Sequence, residues 1–107
     1  MRLLLDEDVP IRLRLHFPEA CRIETVDYRG WKGLDNGDLL RKAQRDFDAL
    51  VTIEKSIQHQ RNLSCYDIRL VNIRVGSDQI EDLIPYVPRV VEALRSRDDT
   101  LVVLREQ

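Results

Sequence analysis

Short apolar runs alternate along the chain with longer stretches in which apolar and charged residues recur at helical spacing. The runs have the length of buried strands, and the stretches between them have the pattern of amphipathic helices. Pro85 and Pro88 interrupt the last of these stretches and predict an irregular turn within it. We predict strands at residues 2–5, 21–26, 49–53, 67–75 and 100–104, helices at 10–16, 38–46 and 76–95, and a loop at 30–33.

Strands that alternate with helices are typical of βαβ units, in which helical crossovers join parallel strands. The run Ala49–Ile53 is apolar apart from Thr52, which predicts a central strand buried on both faces. The chain has 107 residues, of which 43% are hydrophobic, enough for one compact core. We therefore predict an α/β fold with a mainly parallel central sheet, formed by a single domain over residues 1–107.

The charge balance limits the classes of partner. The formal net charge is -2, so the chain lacks the broad basic surface of a protein that binds nucleic acid by electrostatics alone. The two cysteines, Cys21 and Cys65, have no metal-ligand spacing and fit a reducing compartment. The sequence contains no signal-peptide pattern and no apolar run long enough to span a membrane. We expect a soluble, cytoplasmic protein whose nucleic-acid contacts, if any, are local or metal-assisted.

Acidic residues stand where the predicted strands end. In the stretch LLLDEDVP, the acids Asp6, Glu7 and Asp8 directly follow the first strand, Glu54 follows the Ala49–Ile53 strand, and Asp38 begins a helix. Residues after parallel strands line the crevice where ligands bind. Crowded carboxylates raise one another's pKa unless a cation neutralises them, and carboxylate oxygens suit Mg²⁺ or Mn²⁺. The pattern indicates a divalent-metal site that could serve phosphodiester cleavage.

Each acid also has a purely structural interpretation. Asp8 precedes Val9 and Pro10 and could cap the following helix. Asp35 or Asn36 could form a capping arrangement with Asp38. Glu54 could begin a short helix after its strand. These alternatives remain open at the level of sequence.

Four blocks of sequence together carry a family resemblance. They are LLLDEDVP, GWKGLDNGDLL, FDALVTIEKSIQHQRNL and DLIPYVPRVVEAL, and their order and spacing cover most of the chain. In these blocks the chain resembles the small PIN-like domain proteins, which are regarded as toxin components that occur beside a DNA-binding antitoxin. The resemblance implies a three-layer α/β/α sandwich and, by extension from PIN ribonucleases, metal-dependent cleavage of RNA. It further implies a small helix-turn-helix antitoxin as partner, and a homodimer is also considered.

The resemblance assigns roles to particular acids. Asp6 matches the acid after the first strand, Asp38 the acid at the start of a helix, and Glu54 the acid after the third strand, where relatives usually carry Asp. We predict these three as catalytic residues and metal ligands, with Glu7 as a fourth acid of the metal site. Ser56 stands where Asp or Asn is expected, so the chain departs from the pattern at this position.

Three basic residues are candidates for phosphate contacts near the crevice, namely Arg12, Lys55 and Arg74. Most such charges on a protein of this size only face solvent. We retain them as the predicted nucleic-acid-binding residues.

Three functional hypotheses follow. The first is a PIN-like, Mg²⁺-dependent or Mn²⁺-dependent endoribonuclease, the toxin of a toxin-antitoxin pair. The second is a PIN-like module that has lost catalysis and keeps a binding or regulatory role, because Glu54 and Ser56 depart from the family pattern. The third is a receiver-like phosphorylation domain, because the stretch LLLDEDVP also resembles the acidic pocket that follows the first strand of a receiver. A receiver needs a phosphorylatable Asp at the position where this chain has Glu54. It also needs a lysine after the Val71–Val75 strand, and this chain has none there, so the third hypothesis is the weakest.

Overall fold

The computed structural model describes residues 1–55, 63–96 and 99–106. Ser56 lies outside the described residues. The strands are β1 (Arg2–Leu5), β2 (Arg22–Thr25), β3 (Ala49–Thr52), β4 (Arg69–Arg74) and β5 (Leu101–Arg105). The α-helices are α1 (Asn36–Ala43), α2 (Ile80–Leu83) and α3 (Val87–Ser96), with short 3₁₀ helices at Ile11–His16, Leu63–Cys65 and Ile84–Tyr86.

The five strands form one parallel sheet in the order β2-β1-β3-β4-β5. The predicted parallel sheet is therefore confirmed. β3 is the central strand, and all four of its residues are buried, including Thr52. Its continuous apolar run reflects burial on both faces, as predicted.

Two helical layers cover the sheet, which gives an α/β/α sandwich. On one face, Leu39, Leu40 and Ala43 of α1 pack against Leu4 and Leu50 of the central strands. On the opposite face, the core is formed by apolar residues of the 3₁₀ helix Ile11–His16, α2 and α3, packed on alternate strand residues; it includes Leu13, Leu83, Val87, Val90, Leu3, Leu5 and Val51. Successive residues of a strand point to opposite faces, so the leucines of β1 supply both cores.

The first residues of two helices test two of the predicted helix caps. Asp35 is the N-cap of α1, and its Oδ1 accepts a hydrogen bond of 2.8 Å from the backbone N–H of Asp38, which confirms the capping arrangement there. The prediction that Asp8 caps the first helix is wrong. That helix is a 3₁₀ helix that begins at Ile11, its N-cap position is Pro10, and no side chain caps it. Asp8 instead lies exposed beyond the end of β1.

Pro85 and Pro88 divide the last helical stretch, as predicted. α2 ends at Leu83, a 3₁₀ turn spans Ile84–Tyr86, and α3 begins at Val87. A proline lacks the N–H that would continue the helical ladder, so the chain changes its helical form at this point.

Arg29 ties the loop after β2 to the body of the protein. Its guanidinium donates to both carboxylate oxygens of Glu24, at 2.5 and 3.2 Å, and to Asp46 at 2.9 Å. The same group lies over the rings of Trp31 and Phe47, at 5.4 and 4.7 Å from their centroids. Trp31 therefore packs over its own loop and against Phe47 in an edge-to-face contact.

No helix within the described part of the chain is long and apolar enough to cross a membrane.

Candidate functional site

The strand order places a topological switch point between β1 and β3. In a parallel sheet of this order the chain connects β1 to β2 on one side and then crosses to β3 on the other, so the connections after β1 and β3 diverge. Asp6 directly follows β1, and Glu54 follows β3 after Ile53. Asp6 and Glu54, two of the three acids predicted as catalytic, thus lie beyond neighbouring strands at the same edge of the sheet.

Asp6 is a buried carboxylate, with only 6% of its surface exposed. Its Oδ2 accepts a hydrogen bond of 2.7 Å from the hydroxyl of Thr52, and its Oδ1 accepts one of 2.8 Å from the backbone N–H of Glu7. Its own N–H donates to the carbonyl of Val51 and continues the pairing of β1 with β3. Asp6 is therefore held in one orientation from both of its carboxylate oxygens.

Thr52 connects the two strand ends. Its hydroxyl donates to Asp6 and accepts a hydrogen bond of 3.0 Å from the backbone N–H of Glu54. Thr52 is fully buried. Because the hydroxyl oxygen accepts from Glu54, its hydrogen is directed towards Asp6, and this bond holds the Asp6 carboxylate in one orientation.

Five carboxylates line one cleft of about 350 Å³ beyond the carboxyl ends of β1 and β2. They are contributed by Asp6, Glu7, Asp8, Asp27 and Asp78. Asp38 and Glu54 do not line this cleft. The acidic cleft therefore gathers the three acids that follow β1 and adds two that the sequence analysis missed.

Asp78 reaches the acidic cleft because the chain turns sharply after β4. Gly76 has a φ of 74°, a left-handed conformation that residues with side chains rarely adopt. The following segment is fixed by Ser77, whose hydroxyl donates to Asp82 at 2.6 Å and accepts from the N–H of Gln79 at 3.0 Å. The glycine was a visible signal for a turn, but the destination of the turned segment depends on the tertiary fold.

The acids at the strand ends influence one another. The pKa of Asp8 is raised, first by partial burial and then by the negative charges of Glu54, Glu7 and Asp78. Glu54 is thus electrostatically coupled to the acidic cleft although it does not line it. Of the acids predicted for the metal site, Asp6 and Glu7 line the acidic cleft, and Glu54 lies near enough to raise the pKa of Asp8.

Asp38 has a different environment from the other predicted ligands. It lies in the first turn of α1, where its side chain forms an ion pair with Arg41 one turn further along the helix. This ion pair is substantially exposed. Asp38 is therefore engaged within its own helix, and its role as a metal ligand stays a prediction.

Asn72 is a second buried polar residue at this end of the sheet. It pairs in register with Thr52 and is fully buried. Its Nδ2 donates to the backbone carbonyl of Glu54 at 2.7 Å, whereas its Oδ1 has no hydrogen-bond partner among the described residues. A buried amide oxygen without a partner costs free energy.

Polar residues inside otherwise apolar strands were the signal for Thr52 and Asn72. Both interrupt runs of buried aliphatic residues near the carboxyl end of their strand. Because buried polar groups need partners, such an interruption predicts a polar contact at the end of the sheet. The sequence analysis noted Thr52 only as an exception in the pattern.

Two of the predicted phosphate-binding residues line a second cleft of about 350 Å³. Lys55 follows β3 and Arg74 ends β4, and the cleft between them also includes Asp78. Arg12 lies apart, on the exposed side of the 3₁₀ helix Ile11–His16. We call the cleft lined by Lys55 and Arg74 the basic cleft. Asp78 lines both the basic cleft and the acidic cleft, so the two clefts are adjacent.

Among residues 1–55, 63–96 and 99–106, no group of three or more His, Cys, Asp or Glu side chains is arranged to hold a metal ion. Comparisons with protein-family models, curated proteins and solved structures find no match. The chemistry of the site therefore has to follow from its own residues.

The buried position of Asp6 predicts a dependence of stability on pH. Burial raises the pKa of Asp6 above its ordinary value of 3.8, and the bonds from Thr52 and Glu7 oppose this shift only in part. The folded protein thus holds this proton more tightly than the unfolded chain does. The contribution of Asp6 to stability is fully present below about pH 3.8 and is lost as pH rises through the raised pKa.

We expect Asp6→Asn to abolish this contribution, because an amide does not titrate. The difference in unfolding free energy between the variant and the wild type should move in favour of the variant as pH rises from 4 towards neutrality, in the absence of divalent metal. Urea denaturation of both proteins across this pH range measures the difference. A difference that is independent of pH, or that moves in favour of the wild type, would show that Asp6 is not destabilised by its ionisation.

Proposed function

We propose that this protein is a PIN-like, divalent-metal-dependent endoribonuclease whose site lies at the carboxyl ends of β1 and β3. The observation that carries the proposal is the environment of Asp6. It is a buried carboxylate in a fixed orientation, it has no ion pair with a basic side chain among the described residues, and it borders a cleft with four further acids. Such an arrangement is costly unless a cation neutralises it.

The donor atoms fit a hard divalent cation. Every side chain that faces the acidic cleft with a formal charge is a carboxylate, and Mg²⁺ and Mn²⁺ prefer oxygen ligands. Glu7 is exposed and can change rotamer, which a cation would require because the acids among the described residues do not converge on one point beforehand.

Asp6 would hold the cation, with Glu7, Asp38 and Glu54 as the other candidate ligands. A bound divalent cation would supply the positive charge that stabilises a phosphodiester during hydrolysis. Asp8 fits the role of a general base, because it is exposed and lines the acidic cleft beside Asp6. Water would lose a proton to Asp8 as it attacks phosphorus, the bond to the leaving ribose oxygen would break, and that oxygen would take a proton from solvent.

The basic cleft supports a nucleic-acid substrate. Lys55 and Arg74 lie beside the acidic cleft and can neutralise phosphates that flank the scissile bond. With a net charge of -2, the protein offers a local contact of this kind in place of a broad basic surface. RNA in the cytoplasm is the substrate we propose, and a small helix-turn-helix antitoxin is the proposed partner.

One observation favours a second candidate, a PIN-like module that binds without cleaving. The carboxylate of Asp38 is engaged by Arg41 and lines neither the acidic nor the basic cleft. If Asp38 stays in this ion pair, the metal site keeps fewer carboxylates than a cleaving site needs. Cleavage assays separate the two candidates.

We expect wild-type protein to cleave single-stranded RNA with Mg²⁺ or Mn²⁺ and to lose this activity in EDTA. Arg74→Gln should raise KM for RNA about tenfold, because one phosphate contact is lost, while kcat changes little. Arg45→Gln is the matched control: Arg45 is exposed and lies near Met1 and Arg2 at the amino end of the sheet, so KM should stay unchanged. RNA that is bound but not cut under all metal conditions would favour the non-catalytic module, and activity that persists in EDTA would contradict the metal-dependent mechanism.

A further inference from the structure

The face of the sheet that packs against α1 has an apolar row and then a polar row across three neighbouring strands. The apolar row lies in register in β1, β3 and β4 and consists of Leu4, Leu50 and Leu70. Two residues further along each strand, on the same face, the chain has a buried polar residue. These residues are Asp6, Thr52 and Asn72. The polar row therefore separates the packed core of this face from the candidate site.

Two side chains of the polar row hold the backbone of Glu54. The register of β3 with β4 ends at the pair Thr52 and Asn72, so Glu54 lies beyond the ladder of strand pairing. Its N–H donates to the hydroxyl of Thr52 at 3.0 Å, and its carbonyl accepts from Nδ2 of Asn72 at 2.7 Å. The amide of Asn72 has one orientation here, because a carbonyl only accepts. Side chains thus replace strand pairing at this residue.

The hydrogen bonds form one chain from β4 to β1. Asn72 donates to Glu54, and Glu54 donates to Thr52. The hydroxyl of Thr52 in turn donates to Oδ2 of Asp6 at 2.7 Å. Because Asp6 and the N–H of Glu54 bond to the same hydroxyl, the backbone of Glu54 starts close to the carboxylate of Asp6. The chain therefore links two candidate ligands of one cation.

Asn72 is an unfavourable residue for a purely structural role. It is fully buried within a strand, where asparagine is depleted, and its Oδ1 has no hydrogen-bond partner among the described residues. Its neighbours in β4, Val71 and Ile73, are buried aliphatic residues that carry no such cost. The contact that distinguishes Asn72 from them is its hydrogen bond to Glu54.

We infer that Asn72 is a positioning residue, which fixes the backbone of Glu54 so that the Glu54 carboxylate reaches a divalent cation bound at Asp6. In this role Asn72 acts through Glu54 and does not itself contact the cation. The inference rests on the metal site of the proposed function, but it does not require that RNA is cut. Residues that orient metal ligands commonly contribute about 10-fold to 100-fold to metal affinity.

The test measures the Kd for Mn²⁺ by electron paramagnetic resonance at neutral pH. Asn72→Val removes the amide and keeps a buried side chain that suits a strand, and it should raise Kd about tenfold. Glu54→Gln should raise Kd as well. In the Glu54→Gln background, Asn72→Val should change Kd by less than about twofold, because the ligand through which Asn72 acts is already lost.

Val71→Ala is the control for a loss of stability alone. Val71 directly precedes Asn72 in β4, is fully buried and belongs to the core on the opposite face of the sheet. Its truncation should lower the melting temperature, because it leaves a cavity, and should leave Kd unchanged. Asn72→Val should lower the melting temperature less than Val71→Ala does, since it also removes the unpartnered Oδ1. Asn72→Ala, which cannot overpack the site, replaces Asn72→Val if that variant does not fold.

Three results would overturn the inference alone. They are equal Mn²⁺ affinity of the wild type and Asn72→Val, an equally large effect of Asn72→Val with and without Glu54→Gln, and an equal loss of affinity in Val71→Ala. Absence of Mn²⁺ binding by the wild type would overturn this inference together with the proposed metal site. Mn²⁺ binding with the expected effects of Asn72→Val, but without RNA cleavage, would support the inference and contradict the nuclease function.

Discussion

Asp6→Asn is expected to reduce metal-dependent RNA cleavage by at least about 100-fold, because removal even of groups that only support metal ligands commonly costs 10-fold to 100-fold. The substitution keeps the size of the side chain and one acceptor oxygen for the hydroxyl of Thr52, and it loses only the oxygen that accepts from the N–H of Glu7, so the fold should persist. It removes the charge that would hold the cation. Single-turnover cleavage of a labelled RNA over a series of Mg²⁺ and Mn²⁺ concentrations measures the loss.

The matched control is Asp67→Asn, which changes the net charge equally. Asp67 is exposed and precedes β4, so it lies at the amino end of the sheet, away from the acidic cleft. We expect its cleavage rate to equal that of the wild type. Equal rates for wild type and Asp6→Asn, with metal-dependent activity present in both, would remove Asp6 from the mechanism.

Arg29→Ala should lower the free energy of unfolding by about 2 kcal/mol, the largest change in stability that we predict. The side chain makes charge-assisted hydrogen bonds to Glu24 and Asp46 and lies over Trp31 and Phe47. Each of these interactions typically contributes about 0.5–3 kcal/mol. The two ion pairs are partly exposed, so each interaction should contribute near the lower limit of that range, which gives a total of about 2 kcal/mol. Urea denaturation at neutral pH measures the difference.

Arg41→Ala provides the comparison for this prediction. Arg41 also pairs with a carboxylate, that of Asp38, but on an exposed helical surface. The expected change is below about 0.5 kcal/mol. Equal effects of the two substitutions would mean that the rings of Trp31 and Phe47 and the second carboxylate add nothing to the contribution of Arg29.

The fold could be predicted from sequence because its signal is local. Most strands are short, largely apolar runs with turn residues beside them, as for Ala49–Thr52, whereas β2 shows alternation of polar and apolar residues. The alternation of strands with helices indicates a parallel sheet. The break at Pro85 could be predicted because proline removes a helical hydrogen bond wherever it stands. The error at Asp8 arose from competing local rules, since a proline in its fixed conformation starts a helix without a side-chain cap.

The candidate site could be predicted only in part. Asp6 was identifiable because an acid directly after a buried strand lies at the carboxyl end of the sheet. Asp27 and Asp78 were not, because they follow β2 and β4 in loops whose paths depend on tertiary packing. The roles of Thr52 and Asn72 needed the register that pairs them across β3 and β4. The register is set by long-range contacts that a single sequence does not reveal.

The central claim is that Asp6 and the acids around it bind a divalent cation. Titration with Mn²⁺, followed by electron paramagnetic resonance at neutral pH, measures this binding without any dependence on the choice of RNA. We expect saturable binding by the wild type and by Asp67→Asn, and loss of that binding in Asp6→Asn. Absence of binding by the wild type, or equal binding by Asp6→Asn, would contradict the claim.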